Sequence, residues 1–464
     1  MIRLHINTHA LDAEPGPSLF DYAEQVGVRV PTTCNKQGKC RECLMEVLEG
    51  MELLSPPTPP EAHLQDAFRL SCRCHVVGDT GTIRCQTMRR AAMRIEHRAL
   101  ELPTRKDPVL DPAVTRDGDR ILLDGEEIAQ STGPLHGLAM DLGTTTVVLR
   151  LLDLETGDVV AHTSFENPQR FGGSDVMARI QYDTDHKGRV LQRTLLGYLT
   201  HAIEDFPVDP RTIYELVVAG NATMRDLFFG LNVYSIGQTP YQSITELELA
   251  EGKRDSTSLS IDARRLRLPI HPRARVYALP LISGHVGADT TACLLAIDIV
   301  REERLVALMD IGTNTELVIG NKDRLLAASC PAGPAFEGGA IACGMPGLDG
   351  AIESVVAETD DRFKLTVIGD KAPEGLCGSG LIDLLSELLR TDRMNELGRF
   401  EDDLDRVDLD REQEIYLLES DVNELAQAKG ANVAGLHIVF DNYGIAPEAV
   451  DLFYLAGGFG RHLR

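Results

Sequence analysis

The sequence has no apolar run long enough to cross a membrane, and no charged segment followed by an apolar one precedes the first predicted strand. Basic residues are scarce as well, since 46 Lys and Arg stand against 71 Asp and Glu for a net charge of −25. Because phosphate backbones bind to basic surface, this balance argues against nucleic acid as a partner. We therefore expect a cytoplasmic protein that engages neither membranes nor nucleic acids.

The sequence also lacks the regular cysteine spacing of a disulfide framework. Its ten cysteines are scattered through 464 residues, which agrees with a reducing compartment. A chain of this length exceeds what one hydrophobic core supports, so we expect roughly two to four domains.

Four cysteines near the N-terminus have the spacing of an iron–sulfur site. Five residues separate Cys34 from Cys40, two separate Cys40 from Cys43, and 28 separate Cys43 from Cys72. Plant-type ferredoxins have four residues in the first gap, two in the second and a distant fourth cysteine. Gly38 lets the loop fold back, so that its backbone N–H groups point at the cluster. The spacing predicts a [2Fe-2S] cluster on these four thiolates.

Two alternatives remain for this site. Four cysteines can also hold a structural zinc ion, although zinc sites usually use two short cysteine pairs and only one short pair occurs here. The fourth ligand could be Cys74 or Cys85, but RLSCRC resembles the ferredoxin consensus in a way that favours Cys72.

The surrounding segments predict a β-grasp domain over residues 1–90. MIRLHI, CLMEVLEG and GTIRC alternate like half-buried strands, and SLFDYAEQVG predicts a short helix with Ser18 as its N-cap. Residues 91–135 mix Pro, Asp and Arg with little periodicity, apart from RILLDGEEI. They predict a linker, with one small hairpin as an option.

A duplicated motif follows the linker. Apolar strands lead into Asp-Leu-Gly-Thr at Asp141 and into Asp-Ile-Gly-Thr at Asp310, 169 residues later. Such a repeat in matched strand contexts predicts two copies of one βββ unit and a two-lobed fold over residues 136–464, with the lobe boundary near residue 300. Each Gly-Thr turn can place backbone N–H groups against a phosphate, while each Asp can hold Mg²⁺ or orient a water.

The two turns, DLGTTT and DIGTNT, resemble the phosphate 1 and phosphate 2 loops of the superfamily of acetate kinase, sugar kinases, heat-shock chaperones and actin. Further segments resemble one branch, the reductive activators of corrinoid proteins: NPQRFGGSDVMARIQY from Asn167, AGNATMRDLFFG from Ala219, GHVGADTTA from Gly284, CPAGPAFEGGAI from Cys330 and GLCGSGLID from Gly375. The predicted fold class is an α+β ferredoxin-like β-grasp domain followed by an α/β two-lobed actin-like ATPase domain, a duplicated ribonuclease H-like fold.

The resemblance implies a function. In this family the ferredoxin-like domain passes one electron to a corrinoid whose cobalt has become Co(II), restoring Co(I) for methyl transfer, and ATP supplies the energy. Its implied cofactors are a [2Fe-2S] cluster, ATP and Mg²⁺. Its implied partners are a corrinoid protein of a methyltransferase system and an upstream low-potential electron donor, and homodimerisation is a further family expectation.

The resemblance also assigns site residues. The first phosphate loop comprises Asp141, Gly143, Thr144 and Thr145, and the second comprises Asp310, Gly312, Thr313 and Asn314. LFYLAGGFG resembles the adenosine motif, in which Gly457, Gly458 and Gly460 let the backbone approach the purine. The chain ends four residues later, where family members continue, so we expect a truncated or short variant.

Other candidates have a functional and a structural interpretation. Asp289 either positions metal or water, or caps a helix that begins at Thr290. Gly378, Ser379 and Gly380 either line the cleft or permit a close approach of helix and strand. Asn167 and Asn221 are expected to be structural turn residues. The later cysteines Cys330, Cys343 and Cys377 are expected to be small buried apolar residues.

Two other function classes stay open. A small-molecule kinase of the same superfamily would need a substrate pocket between its lobes and would leave the cluster domain without a role. A plain electron-transfer adaptor would need no nucleotide, so both Gly-Thr loops would be vestigial.

Overall fold

The computed structural model describes residues 1–65, 67–88, 110–359, 362–401 and 404–457. The chain divides into two compact units, the first with Met1–Arg90 and Val109–Asp289 and the second with Thr290–Arg464. Among the described residues, no helix combines the length and the apolar character needed to cross a membrane.

The N-terminal domain is a five-stranded mixed sheet with one helix, as the alternating segments predicted. Its strands follow the order β2-β1-β5-β3-β4. The strands are β1 (Ile2–Ile6), β2 (His9–Ala13), β3 (Leu44–Glu49), β4 (Phe68–Leu70) and β5 (Gly81–Thr87), and the helix is α1 (Leu19–Gln25). Ser18 caps α1, because its Oγ accepts from the N–H of Asp21 at 3.2 Å and its own N–H donates to the Asp21 carboxylate at 3.0 Å.

A small antiparallel sheet follows within the segment predicted as a linker. It contains β6 (Val114–Asp117), β7 (Arg120–Leu123) and β8 (Glu126–Gln130) in sequential order. The prediction allowed one hairpin here, whereas the structure has a third strand. Val114, Ile121 and Ile128 are buried together with Tyr214, which comes from the first lobe. This packing partner is about ninety residues away in sequence, which is why local periodicity did not reveal it.

The first lobe is built on a six-stranded sheet in the order β11-β10-β9-β12-β14-β13. Its strands are β9 (His136–Leu142), β10 (Thr146–Asp153), β11 (Val159–Glu166), β12 (Ile213–Ala219), β13 (Leu259–Asp262) and β14 (Arg275–Ala278). Its helices are α2 (Val176–Asp185), α3 (Val190–Glu204), α4 (Ala222–Phe229), α5 (Ile244–Ala250) and α6 (Ala263–Leu266), and α7 (Ala288–Ala296) follows.

The second unit repeats the central part of this sheet. Its four-stranded sheet has the order β17-β16-β15-β23, with β15 (Val306–Ile311), β16 (Thr315–Gly320), β17 (Leu325–Cys330) and β23 (Leu452–Ala456). Between β17 and β23 lie β18 (Ala351–Thr359), β19 (Arg362–Val367), β20 (Gly375–Leu376), α8 (Gly378–Arg390), β21 (Arg406–Asp410), β22 (Ile415–Leu418) and α9 (Glu419–Tyr443).

The two sheets confirm the predicted duplication. In each, three antiparallel strands are joined by a fourth strand that runs parallel to the first: β12 pairs with β9, and β23 pairs with β15. Asp141 pairs with Ala219 and Asp310 pairs with Ala456, so both aspartates occupy the same place in the repeat. The fold therefore puts a Gly-Thr turn at the end of a central strand twice.

Close approaches explain several small residues of the second unit. A Cβ on Gly380 would lie 2.1 Å from the carbonyl oxygen of Ile352, so α8 can rest on β18 only with glycine there. A Cβ on Gly435 would lie 2.0 Å from Sγ of Cys330. Cys330 and Cys377 are buried, whereas Cys343 is half-buried. The close-approach interpretation of Gly380 thus agrees with the structure.

Gly380→Ala is expected to destabilise the protein by about 1–3 kcal/mol, because the new methyl group would push α8 off β18. Gly430→Ala is the matched control, since a Cβ at this exposed position of α9 meets nothing within 4 Å. That control should stabilise by about 0.5–1 kcal/mol through helix propensity. Equilibrium unfolding in urea measures both changes, and a neutral Gly380→Ala would contradict the close packing.

Candidate cluster and nucleotide sites

The loop that carries three of the predicted cluster ligands has an unusual backbone. Asn35, Lys36 and Arg41 adopt positive φ angles of 51°, 62° and 64°, and Gly38 has a φ of 71°. Left-handed conformations are costly for residues other than glycine, at about 1 kcal/mol or more each. So many in one short loop indicate that its shape serves a purpose beyond connecting α1 to β3.

That shape directs backbone N–H groups at sulfur atoms. The N–H groups of Cys40 and Lys39 donate to Cys34, and the N–H of Gly38 donates to Cys72. Burial by itself would raise the pKa of Cys34, but these hydrogen bonds lower it to about 7. These N–H groups favour the thiolate of Cys34, the form in which cysteine binds iron. The hydrogen bond from Cys43 to Cys72 raises the pKa of Cys43, and burial raises the pKa of Cys40.

The four cysteines meet as two pairs. Sγ of Cys43 lies 3.3 Å from Sγ of Cys72, and the side chains of Cys34 and Cys40 are hydrogen-bonded to each other. Within the described ranges, no three or more His, Cys, Asp or Glu side chains surround one point closely enough to hold a single metal ion. A [2Fe-2S] cluster requires four thiolates on two irons, and an arrangement in pairs fits that requirement.

The two alternative ligands are buried cysteines. Burial raises the pKa of the Cys74 thiol and of the Cys85 thiol to about 12. Both therefore stay protonated at neutral pH, as expected of plain buried thiols. Cys72, beside Cys43, is the better candidate for the fourth ligand.

The first Gly-Thr loop joins β9 to β10 in a tight turn. The N–H of Gly143 donates to the carbonyl oxygen of Thr146 at 2.9 Å. A Cβ on Gly143 would lie 2.7 Å from that same oxygen, so the turn requires glycine. Asp141 lies two residues earlier, near the end of β9.

Three side chains support this loop. Asn167 Nδ2 donates to the carbonyl of Gly143 at 2.8 Å, and Asn221 Nδ2 donates to Thr144 Oγ1 at 3.0 Å. Nη2 of the fully buried Arg179 donates to the carbonyl of Thr144 at 2.7 Å. Sequence reasoning missed Arg179, because nothing in ARIQY distinguishes a buried arginine from a surface one.

Both asparagines are also N-caps. Oδ1 of Asn167 accepts from the N–H of Gln169 at 3.0 Å, and Oδ1 of Asn221 accepts from the N–H of Met224 at 2.9 Å. Both asparagines therefore have a structural role, since each holds the first Gly-Thr loop through a hydrogen bond.

Asp289 contributes charge to the same region. It lies in the first turn of α7, which begins at Ala288, so it is inside the helix rather than at a cap before Thr290. Burial and the charge of Asp289 raise the pKa of Asp141 to about 6. Asp141 nevertheless keeps an exposed surface, so solvent moderates this shift. Two carboxylates with such a mutual effect form a suitable environment for a cation.

The second Gly-Thr loop has its own acidic neighbour. Oγ1 of Thr313 donates to Oε2 of Glu337 at 2.5 Å, and the N–H of Gly333 donates to the carbonyl of Thr313 at 2.8 Å. Glu337 lies in a 3₁₀ turn, Pro334–Glu337, within one of the segments on which the resemblance rests. Sequence reasoning did not single out Glu337, because PAFEGG matches no motif that assigns a role to its glutamate.

The adenosine motif begins beside the second loop. A Cβ on Gly457 would lie 2.2 Å from the carbonyl oxygen of Ile311, immediately before Gly312. Glycine thus lets the end of β23 approach the end of β15. Gly458 and Gly460 lie outside the described residues.

Gly378 and Ser379 open α8 elsewhere in the second unit. Oγ of Ser379 donates to the carbonyl of Glu353 at 2.9 Å, so its hydroxyl has a structural role in holding α8 to β18. Their part in binding a ligand stays a prediction.

Comparisons with known families match the chain in three consecutive parts. Residues 3–77 match the 2Fe-2S iron-sulfur cluster binding domain. Residues 136–302 match the RACo middle region, and residues 304–464 match the C-terminal domain of RACo, the ASKHA domain.

Two relatives and one solved structure are similar to the chain. The corrinoid activation enzyme RamQ of Eubacterium limosum is 33% identical over 360 residues, which are 71% of this chain and 58% of the relative. The [Co(II) methylated amine-specific corrinoid protein] reductase of Methanosarcina barkeri is 23% identical over 350 residues, 71% of this chain and 64% of the relative. This chain therefore spans less than two thirds of the length of either.

The solved structure is a reductive activator for a corrinoid, iron-sulfur protein. It superposes with a TM-score of 0.68 at 24% identity and covers 99% of this chain and 86% of its own. This likeness confirms the predicted fold class.

Cys72→Ser is expected to abolish the cluster, whereas Cys74→Ser should retain it, because only Cys72 adjoins Cys43 and accepts from the loop. Iron and sulfide per folded chain, with the visible absorption spectrum, measure the difference. Cys74→Ser is the matched control for replacing a buried thiol. The reverse pattern would move the fourth ligand two residues along.

Asp141→Asn is expected to raise the thermal unfolding midpoint at pH 8 and to raise it less at pH 5.5. The native pKa of about 6 exceeds the ordinary value of 3.8, so the native state loses stability as pH rises through this window. Asparagine has no carboxylate to ionise, so the variant does not lose this stability as pH rises. Asp158→Asn, the same change on an exposed turn, should show no such pH dependence. A lower midpoint for Asp141→Asn at pH 8 would contradict the assignment.

Proposed function

The chain belongs to the RACo family, and on that premise we propose that it is an ATP-dependent reductive activator of a corrinoid protein. One observation carries the proposal: the cluster loop and the two Gly-Thr loops occur together in one chain. Their domains follow the order found in the family. The acceptor is a protein-bound corrinoid in the Co(II) state. The product is Co(I), the nucleophile for methyl transfer.

The cluster loop fits a [2Fe-2S] cluster held by Cys34, Cys40, Cys43 and Cys72. When bound, the cluster would supply one electron at a time at a potential of about −400 mV. N–H groups of the loop donate to the sulfur atoms of Cys34 and Cys72. Asn35, Gln37 and Lys39 are exposed, so this face of the loop is open to an acceptor.

The Gly-Thr loops fit a nucleotide and its metal. Gly143, Thr144 and Thr145 in the first loop, and Gly312, Thr313 and Asn314 in the second, would each contact phosphate oxygens. Asp141, Asp289 and Asp310 would position Mg²⁺ or a water, since hard cations prefer carboxylate oxygen. Gly457 would let the backbone approach the purine. Because the reduction of Co(II) is uphill for a donor of this kind, nucleotide binding or hydrolysis would supply the difference.

We further propose that the protein acts in the cytoplasm, where a reducing environment protects the cluster, and that it receives its electron from an upstream low-potential donor. Homodimerisation belongs to the same proposal.

The test mixes the reduced protein with Co(II) corrinoid proteins, with and without MgATP, and follows the cobalamin spectrum. Conversion to Co(I) should require MgATP. Asp141→Ala and Asp310→Ala should each slow it by about 100-fold, the usual scale for losing a positioned charge. Asp323→Ala, at an exposed turn, should leave the rate unchanged.

Two results would contradict the proposal. Equal conversion without nucleotide would indicate a plain electron-transfer adaptor. Transfer of phosphate to a small acceptor by protein that lacks its cluster would indicate a kinase.

A further inference from the structure

The ferredoxin domain and the first lobe belong to one compact unit. Residues 167–182 of the lobe contact both the first Gly-Thr loop and the ferredoxin domain. We name them the bridging segment; they comprise a 3₁₀ helix, Pro168–Gly172, and the larger part of α2.

Two residues of the bridging segment, Asn167 and Arg179, hold three successive carbonyls of the Gly-Thr loop. Asn167 Nδ2 donates to the carbonyl of Gly143 at 2.8 Å, and the Asn167 N–H donates to that of Thr145 at 2.7 Å. Arg179 Nη2 donates to the carbonyl of Thr144 at 2.7 Å. These carbonyls belong to the peptide groups whose N–H sides would face a phosphate, so movement of the peptide planes must reach the segment.

Three other residues of the segment contact the ferredoxin domain. The hydroxyl of Tyr182 donates to the carbonyl of His63 at 2.7 Å in a buried contact. Nη2 of Arg170 lies 3.4 Å from Oε1 of Glu46 on β3. The ring of Phe171 meets the ring of His63 edge to face, with centroids 5.9 Å apart.

Contacts within the bridging segment make it stiff. The rings of Phe171 and Tyr182 pack edge to face with centroids 5.4 Å apart. Nε of Arg179 donates to the carbonyl of Gly173 at 3.0 Å. A Cβ on Gly173 would lie 2.3 Å from Cβ of Ala178, so turn and helix are closely packed. A rigid element of this kind transmits displacement instead of absorbing it.

The cluster loop itself takes part in the contact with the lobe. Nη2 of Arg193 on α3 donates to the carbonyl of Lys39 at 3.4 Å. A Cβ on Gly197 of α3 would lie 2.5 Å from Cγ of Glu42, between two cysteines of the quartet. Any change in docking therefore changes the position of the cluster loop.

The bridging segment and the cluster loop each contain an unsatisfied buried polar group. Gln169 is fully buried, and neither its amide oxygen nor its amide nitrogen has a hydrogen-bond partner in the part of the chain that the structure describes. The same holds for Oε2 of buried Glu42. A buried polar group without a hydrogen-bond partner costs free energy, and Glu42 carries this cost where the cluster loop meets α3.

We propose that the bridging segment couples nucleotide binding at the first Gly-Thr loop to release of the ferredoxin domain from the first lobe, with Arg179 as the positioning residue at the contact with the loop and Tyr182 as the positioning residue at the contact with the ferredoxin domain. The inference rests on the proposed function in one respect, that the loop binds ATP. A phosphate drawn onto the loop's N–H groups shifts the carbonyls that Asn167 and Arg179 hold, and the segment carries the shift to Tyr182. The released domain can bring its cluster to the corrinoid.

Amide hydrogen exchange on the cluster-loaded protein tests the coupling. MgATP should speed exchange about fivefold or more over residues 39–46 and 193–197, the two faces of the contact. Tyr182→Phe should speed exchange there without nucleotide and abolish most of the response to MgATP. Tyr234→Phe, at an exposed tyrosine, is the matched control and should behave like the wild type.

A change at the contact with the Gly-Thr loop gives a different signature. Arg179→Lys keeps the charge but loses the planar donor group, so exchange without nucleotide should stay near wild type while the MgATP response is lost. Combined with Tyr182→Phe, it should show non-additive effects. Absorption of the cluster and nucleotide affinity by calorimetry verify that each variant is folded and binding.

The outcomes separate the two proposals. If calorimetry detects MgATP binding and exchange over both faces is unchanged or slower, the coupling is overturned while the proposed function stands. If MgATP does not bind to the wild type, the proposed function fails first. A Tyr182→Phe variant that keeps the full MgATP response would also overturn the coupling.

Discussion

The buried guanidinium of Arg179 is the interaction on which the first lobe's site depends. A charge removed from water must be surrounded by acceptors or it destabilises the fold. Here the carbonyls of Thr144 and Gly173 and the sulfur of Met224 accept from it. This requirement fixes α2, α4 and the Gly-Thr loop relative to one another, and it directs the loop's carbonyls inward. The N–H side of the turn is thereby left for a ligand.

The cluster loop obeys a comparable constraint. Its N–H groups must converge on sulfur atoms, and a short loop achieves this only by accepting left-handed backbone at Asn35, Lys36 and Arg41 as well as at Gly38. The strained backbone of this loop lets its N–H groups donate hydrogen bonds to the sulfur atoms of Cys34 and Cys72. The same loop lies on α3, so one stretch of backbone positions the ligands and joins two domains.

Much of this could be predicted from the sequence. The cysteine spacing, the Ser18 cap and the repeated Asp-x-Gly-Thr turns are local features, and each appears in the structure where its residues indicated. The third strand of the small sheet, the role of Arg179 and the bond from Thr313 to Glu337 were not predicted. Each depends on residues distant in sequence: Tyr214 packs against the small sheet, Thr144 and Met224 accept from Arg179, and Glu337 returns to the second loop from beyond β17.

The sequence by itself determined which chemical groups are available, because thiols at fixed spacing and glycines in tight turns act over a few residues. Only the tertiary structure decided how these groups are used. It paired Cys43 with Cys72 and left Cys74 as a buried thiol, and it placed Asp289 inside a helix close enough to raise the pKa of Asp141. The physical reason is that burial, electrostatic field and hydrogen-bond geometry depend on neighbours in space, and these are set only when strands and helices from remote parts of the chain have packed.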